Sequence, residues 1–260
     1  MNHLVDTHAH LYYPMFDRDR ADMLQRAKNN GVTQIYLPNV DAESMEMLVA
    51  LVQQYPQQCK GMAGVHPCSV KADFETELQQ AHQELEQTRI PIYGIGETGL
   101  DYYWDISNVE QQKDLFRKQI RIASQLKLPV IVHTRDSTDD AITLLKEEYE
   151  QYPVRAHFHC FSGTLEQLSD CLSIPDSHVS FCGNITYKKS ILDEVISAAP
   201  IDRLLSETDS PFLPPMPYRG KKNEPSFMIN TLEKISNVKA IPMIELIGAV
   251  SKNAEQFFAL

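Results

Sequence analysis

The chain has 260 residues, with 24 Lys and Arg against 35 Asp and Glu and a formal net charge of −11. That balance excludes broad, sequence-independent adhesion to a polyanion, which needs a basic surface, but it leaves room for a polyanionic substrate at a cation-loaded site. Five cysteines without a Cys-x-x-Cys pair fit free thiols in a reducing compartment; with no leader-type apolar segment and no run able to span a bilayer, a cytoplasmic protein is expected, with no membrane and no obligatory protein partner.

Short, largely apolar runs fall in order at residues 4–8, 34–38, 62–66, 92–97, 130–133, 156–159, 179–182 and 204–209. They read as buried parallel strands, several of which stop at a residue able to bind metal: His8, Glu97, His133, His159 and Asp209. His10 follows His8 at i+2, so the two imidazoles face the same way. Between the runs lie stretches with apolar residues at helical spacing. These are Met23/Leu24/Ala27, Met45/Leu48/Val49/Val52, Leu78/Ala81/Leu85, Phe116/Ile120/Ala123, Ala141/Leu144/Leu145, Leu168/Cys171/Leu172 and Leu192/Val195/Ile196. An irregular segment, 211–225, is expected to be an active-site loop leading into helices at about 227–236 and 242–258.

The strand ends recur roughly every 24 to 36 residues, about one strand-helix unit each. Eight such units in one chain predict a single-domain α/β fold over residues 1–260, a (β/α)8 TIM barrel, which typically takes roughly 250 residues. An open doubly wound sheet would gather its ligands at one switch point. Here the candidate ligands come from the first, fourth, fifth, sixth and eighth strands, which a closed ring brings together.

The six donors His8, His10, Glu97, His133, His159 and Asp209 exceed what one catalytic ion needs. They suit two divalent ions, Mg2+, Mn2+ or Zn2+, with Glu97 as the bridge. Such a pair activates a bound water as nucleophile and clamps both oxygens of a displacement. Asp209 is then expected both to bind one ion and to accept the proton of that water, making Asp209 and Glu97 the catalytic pair. Asp6 and His157 are expected deeper, as supporting or satisfied interior groups. Cys160 follows His159, so strand alternation would send it to the opposite face, as packing. Tyr102, Tyr103 and Trp104 follow Glu97 on a loop beside the metals, where Trp104 is expected to contact the substrate, the alternative being that these rings cap the barrel core or pack on a neighbouring loop.

The segments Asp6-Thr7-His8-Ala9-His10, Gly64-Val65-His66-Pro67, Gly96-Glu97-Thr98-Gly99-Leu100-Asp101, His133-Thr134-Arg135-Asp136, His159-Cys160-Phe161-Ser162-Gly163, Glu207-Thr208-Asp209-Ser210-Pro211 and Asn223-Glu224-Pro225 resemble, in order and across nearly the whole chain, the motif series of the TatD family of metal-dependent deoxyribonucleases. The resemblance implies a two-metal phosphodiesterase with DNA as substrate, trimming from the 3′ end. By position, His8, His10, Glu97 and Asp209 resemble the ligands of one ion, and Glu97, His133 and His159 those of the second. His66, Arg135 and Arg219 look like contacts to substrate phosphate; His66 otherwise reads as a strand-end cap before Pro67. Two other classes stay open: an amidohydrolase cleaving C–N or ester bonds on the same barrel, and a metal-binding protein without turnover. The amidohydrolase reading calls for a bridging carbamylated Lys where this chain has Glu97.

Overall fold

Strand and helix alternate around a ring in the computed structural model, which describes residues 3–70, 76, 89–104 and 106–258. The strands are β1 (Leu4–Asp6), β2 (Val32–Pro38), β3 (Cys59–Ala63), β4 (Ile92–Asp101), β5 (Val130–Arg135), β6 (Ala156–Phe158), β7 (Ser177–Phe181) and β8 (Leu204–Ser206). Each pairs in parallel with the next, in sequence order. Backbone hydrogen bonds close the ring: Thr7 N–H to Ser206 O at 2.9 Å, Asp209 N–H to His8 O at 2.9 Å and His10 N–H to Ser210 O at 2.7 Å. The fold is the (β/α)8 barrel expected.

The described helices are α1 (Arg20–Asn29), α2 (Ala42–Gln54), α3 (Val109–Leu126), α4 (Thr138–Tyr149), α5 (Leu165–Leu172), α6 (Asp193–Ala198), α7 (Met228–Lys239) and α8 (Met243–Phe257). The helix expected around Leu78, Ala81 and Leu85 lies outside the described residues. Apolar residues at i, i+3 and i+4 turn one face of each helix to the strands; on α3 these are Leu115, Phe116, Ile120 and Ala123, all buried. A second apolar cluster joins Val5, Tyr36, Met62, Ile131 and Leu205 to Phe257 and Phe258. Side chains from β1, β2, β3, β5 and β8 meet only inside the ring, so the end of α8 plugs the barrel, and the Phe258 ring stacks on Tyr36 with centroids 3.6 Å apart. Among the described residues no helix is long and apolar enough to cross a membrane.

Several strands end before their donors. β1 stops at Asp6, β3 at Ala63, β6 at Phe158 and β8 at Ser206, which leaves His8, His66, His159 and Asp209 on the turns that follow. Asp209 has φ 55° and Cys160 φ 46°, left-handed values that break the extended run and that Asp tolerates better than most residues. β4 and β5 instead continue past Glu97 and His133, paired from Thr98 with Val132 to Asp101 with Arg135. Gly99 makes that approach feasible: its φ is 132°, and a Cβ there would collide with the His133 carbonyl.

Candidate metal centre

The C-terminal ends of the strands converge on a cavity of about 500 Å³ whose lining includes His10, His66, Glu97, His133, His159 and Asp209. One backbone hydrogen bond and the side-chain amides of Asn39 and Gln119 hold Glu97 and its surroundings at the centre of that cavity. Its N–H donates to Asn39 O at 3.0 Å, and Asn39 in turn accepts from Gly64 N–H at 2.5 Å. Gln119, buried on α3, donates to Thr98 Oγ1 at 2.5 Å and to Val65 O at 3.0 Å, and accepts from Val65 N–H at 2.8 Å. One amide therefore fixes the residue after Glu97 and the residue before His66.

The two oxygens of Glu97 face different groups. Oε2 lies 3.4 Å from His8 Nε2 and 3.4 Å from His10 Nε2. Those nitrogens are 3.2 Å apart, and Asp209 Oδ1 lies 3.8 Å from the first and 3.5 Å from the second. Oε1 lies 2.9 Å from His133 Nδ1 and 2.8 Å from His159 Nε2, themselves 3.4 Å apart. Four donors around a cation at about 2.0 to 2.2 Å stand roughly 3.3 to 3.6 Å from one another. The first group, at 3.2 to 3.8 Å, spans that spacing; in the second, Glu97 Oε1 stands at hydrogen-bond distance, 2.8 and 2.9 Å, from two imidazoles 3.4 Å apart, a three-donor set on the other oxygen of the same carboxylate whose chemistry suits an ion once the shared proton is displaced.

The supporting hydrogen bonds decide which ring nitrogens offer lone pairs. Tyr12 donates its O–H to Pro38 O at 2.9 Å, so at 2.9 Å it must accept from His10 Nδ1–H; Nε2 is then the lone pair. At His133, Nε2 lies 2.9 Å from Asp101 Oδ2, which leaves Nδ1 free toward Glu97. His66 is the reverse case. Its Nδ1 accepts from Cys68 N–H at 3.0 Å, so Nε2 carries the proton and turns it toward Glu97 Oε1, 3.4 Å away. His66 is thus a capping residue before Pro67 and also a donor aimed into the cavity.

Charge makes the same point. Burial works against an ionised Glu97, yet the imidazoles of His159, His66 and His8 hold it well below the usual carboxylate range. Burial also opposes charge on His10 and His133. Hydrogen bonds donated by the charged rings override it, to Asp209 and Glu97 from His10 and to Asp101 and Glu97 from His133, and both are pushed up to about 9. Without a cation, then, protons on His10 and His133 balance the carboxylates. An ion must displace them, so metal binding is expected to release protons at neutral pH and to tighten as pH rises toward about 9. Calorimetry in buffers of different ionisation enthalpy reads this directly, and a pH-independent affinity with no proton release would contradict it.

Around the centre the outcome is mixed. Trp104 and Arg135 line the cavity. Trp104 is 68 % exposed and Tyr103 55 %, with the Arg135 guanidinium 3.7 Å over the Tyr103 ring and 5.2 Å over that of Trp104. Tyr102 turns away and donates to Asp140 Oδ2 at 2.8 Å. Arg219 is exposed, sits 4.7 Å over the Tyr187 ring and is not among the cavity-lining residues. Asp6 accepts from Thr208 N–H at 3.0 Å and Thr208 Oγ1–H at 2.6 Å, and His157 meets Ser180 Oγ at 2.5 Å, so both are interior polar groups as expected. Cys160 corrects the packing expectation: β6 ends two residues earlier, alternation no longer applies, and its sulfur joins Cys182 and Glu207. Three contributors were not anticipated. Tyr13 and Phe212 line the cavity. Asp101 holds His133 through Oδ2 while Oδ1 accepts from Tyr103 and Trp104 N–H at 2.9 and 3.0 Å.

A (β/α)8 barrel that gathers imidazoles and carboxylates at the C-terminal ends of its strands has the architecture of a metal-dependent hydrolase. The chain belongs to the TatD-related DNase family, whose model matches residues 5–259. It is similar to the Bacillus subtilis protein described as uncharacterized metal-dependent hydrolase YabD, 37 % identical over 258 residues and 99 % of each chain. It is also similar to a protein of Pectobacterium atrosepticum described as 3′-5′ ssDNA/RNA exonuclease TatD, 31 % identical over 263 residues, 99 % of this chain and 100 % of that one. Among solved structures, the Escherichia coli TatD homolog YjjV superimposes with a TM-score of 0.91 at 30 % identity, covering 99 % of this chain and 98 % of its own.

Proposed function

We propose that this chain is a two-metal phosphodiesterase that hydrolyses DNA, removing nucleotides from the 3′ end of single strands. One observation carries the reading: Glu97 turns each of its oxygens to a separate donor group, His8, His10 and Asp209 on one side and His133 and His159 on the other. Two divalent ions bound there supply a water acidified toward neutrality and charge to offset the phosphate. The remaining work falls to the chain. Asp209 sits at the open side of the first group, where it can take the proton of the attacking water. His66 Nε2–H and the Arg135 guanidinium face the cavity, where a phosphate oxygen would accept from them. Arg219 keeps only the support of its motif position.

The similarity to a 3′-5′ ssDNA/RNA exonuclease supports a nucleic-acid substrate. A carboxylate bridge in place of a carbamylated Lys weighs against the amidohydrolase reading. A panel of single-stranded DNA, RNA, a small phosphodiester, an ester and a dihydropyrimidine, each with defined metals, tests it. Release of mononucleotides from the 3′ end of DNA is the expected result, and turnover confined to the ester or the dihydropyrimidine would overturn it.

The exposed aromatics give a second test. Stacking on a base is worth roughly 1 to 3 kcal/mol, so Trp104→Ala should raise KM for single-stranded DNA several-fold or more. It should spare a small phosphodiester that has no base. Equal losses on both substrates would make Trp104 a structural residue. Asp101 serves two parts of the site at once, His133 and the Tyr103–Trp104 backbone. Outer-shell partners of metal-binding His typically matter by about 10- to 100-fold in metal affinity or activity. Asp101→Asn should therefore weaken metal binding by that order and raise KM for DNA as well; unchanged metal affinity would remove it from the support of His133.

A further inference from the structure

Beside the histidine-rich centre lies a second donor cluster of different chemistry. Cys160 on the turn after β6, Cys182 directly after β7 and Glu207 directly after β8 bring two sulfurs and a carboxylate oxygen within 4.8 Å of one another. Cys182 Sγ–H donates to Glu207 Oε1 at 3.0 Å, and Cys160 N–H donates to the same oxygen at 2.5 Å. Cys182 and Glu207 are buried, whereas Cys160 is partly exposed. Both cysteines are free thiols.

We propose that Cys160, Cys182 and Glu207 form a separate binding site for a thiophilic divalent cation of the Zn2+ and Cd2+ class. Two thiolates and one carboxylate make three protein ligands, with the fourth position open to water. Sulfur ligands select soft and borderline ions, while the carboxylates of the histidine centre also admit Mg2+ and Mn2+, which thiolates do not favour. On binding, two S–H bonds break, their protons leave to solvent, and two metal–sulfur bonds form, with no change of oxidation state. A disulfide is the competing fate of the pair. It would take from Glu207 Oε1 its Cys182 donor and leave that buried carboxylate short of a hydrogen bond, which is costly.

Glu207 links the two centres. Its Oε2 makes no hydrogen bond and lies 3.8 Å from His159 Nδ1, the far side of the ring whose Nε2 meets Glu97. A cation at the sulfurs offsets the carboxylate charge that Glu207 presents to His159 across that 3.8 Å gap, so occupancy of the thiol site is expected to slow hydrolysis.

The experiment titrates Cd2+ into protein loaded with Mn2+ at the histidine centre, following the ultraviolet sulfur-to-cadmium charge-transfer band and the metal content. The expected result is one added Cd2+ per chain, with the band, retained Mn2+ and reduced turnover. Cys182→Ser and Cys160→Ser should each lose the band and the inhibition while keeping their Mn2+. Glu97→Ala should keep the band. Having two variants, one at a partly exposed position, guards against a folding failure in either. The proposal is overturned if Cd2+ gives no sulfur band, if the band survives both serine variants, if Cd2+ only displaces Mn2+, or if the isolated protein has a Cys160–Cys182 disulfide.

Discussion

Glu97→Ala is expected to strip both ions from the protein and abolish hydrolysis, a larger loss than truncating any other single donor. The reason is geometric. His8 and His10 meet one oxygen of Glu97 and His133 and His159 the other, each between 2.8 and 3.4 Å away. Removing the carboxylate takes a ligand from both groups and leaves five buried or half-buried imidazoles, His66 among them, without the negative charge they face. Turnover should fall by more than about 10³-fold, since water activation and phosphate neutralisation go together. Metal content and rate should be measured on the same sample. A variant that kept two ions and full turnover would show that Glu97 is not the bridge.

Asp209→Asn should separate binding from chemistry. The amide still offers an oxygen at the position of Oδ1, 3.5 Å from His10 Nε2, but it cannot take a proton. Loss of a general base typically costs about 10²- to 10⁴-fold. Hydrolysis should therefore drop by that order in saturating metal, with the fold retained because Asp209 N–H to His8 O and its neighbours close the barrel through backbone atoms. A variant within a few-fold of wild type would remove Asp209 from the proton-accepting role.

The barrel and the meeting of its donors were legible in the sequence for a simple reason. Strands buried on both faces read as short apolar runs, and six of the eight ended at an imidazole or carboxylate, His8, His66, Glu97, His133, His159 and Asp209. In a closed ring such ends can only converge, so His8, His10, Glu97, His133, His159 and Asp209 had to share one mouth. The details that depend on side-chain reach were hidden. Gln112 and Gln119 lie seven residues apart on the buried face of α3 and hold the backbone at Asp101 and Val65 and the Thr98 hydroxyl. That spacing on an apolar face was a usable signal, but their partners lie on other elements. Asp101 sat inside a quoted motif, yet only the extension of β4 beyond Glu97 brings it to His133. Cys160 was misplaced because alternation holds only while φ stays extended. Arg219 and Phe212 share one irregular loop, and nothing in the order of its residues says that Phe212 reaches the cavity while Arg219 rests on Tyr187.

The account turns on two ions acting together on a nucleic-acid phosphate. Its most direct measurement is a titration of metal-stripped protein with Mn2+, with bound metal and 3′-end release from single-stranded DNA followed in the same sample. Two ions per chain are predicted, with turnover rising as the second binds. Full turnover at one ion per chain, or two bound ions with no hydrolysis of DNA or RNA, would contradict it.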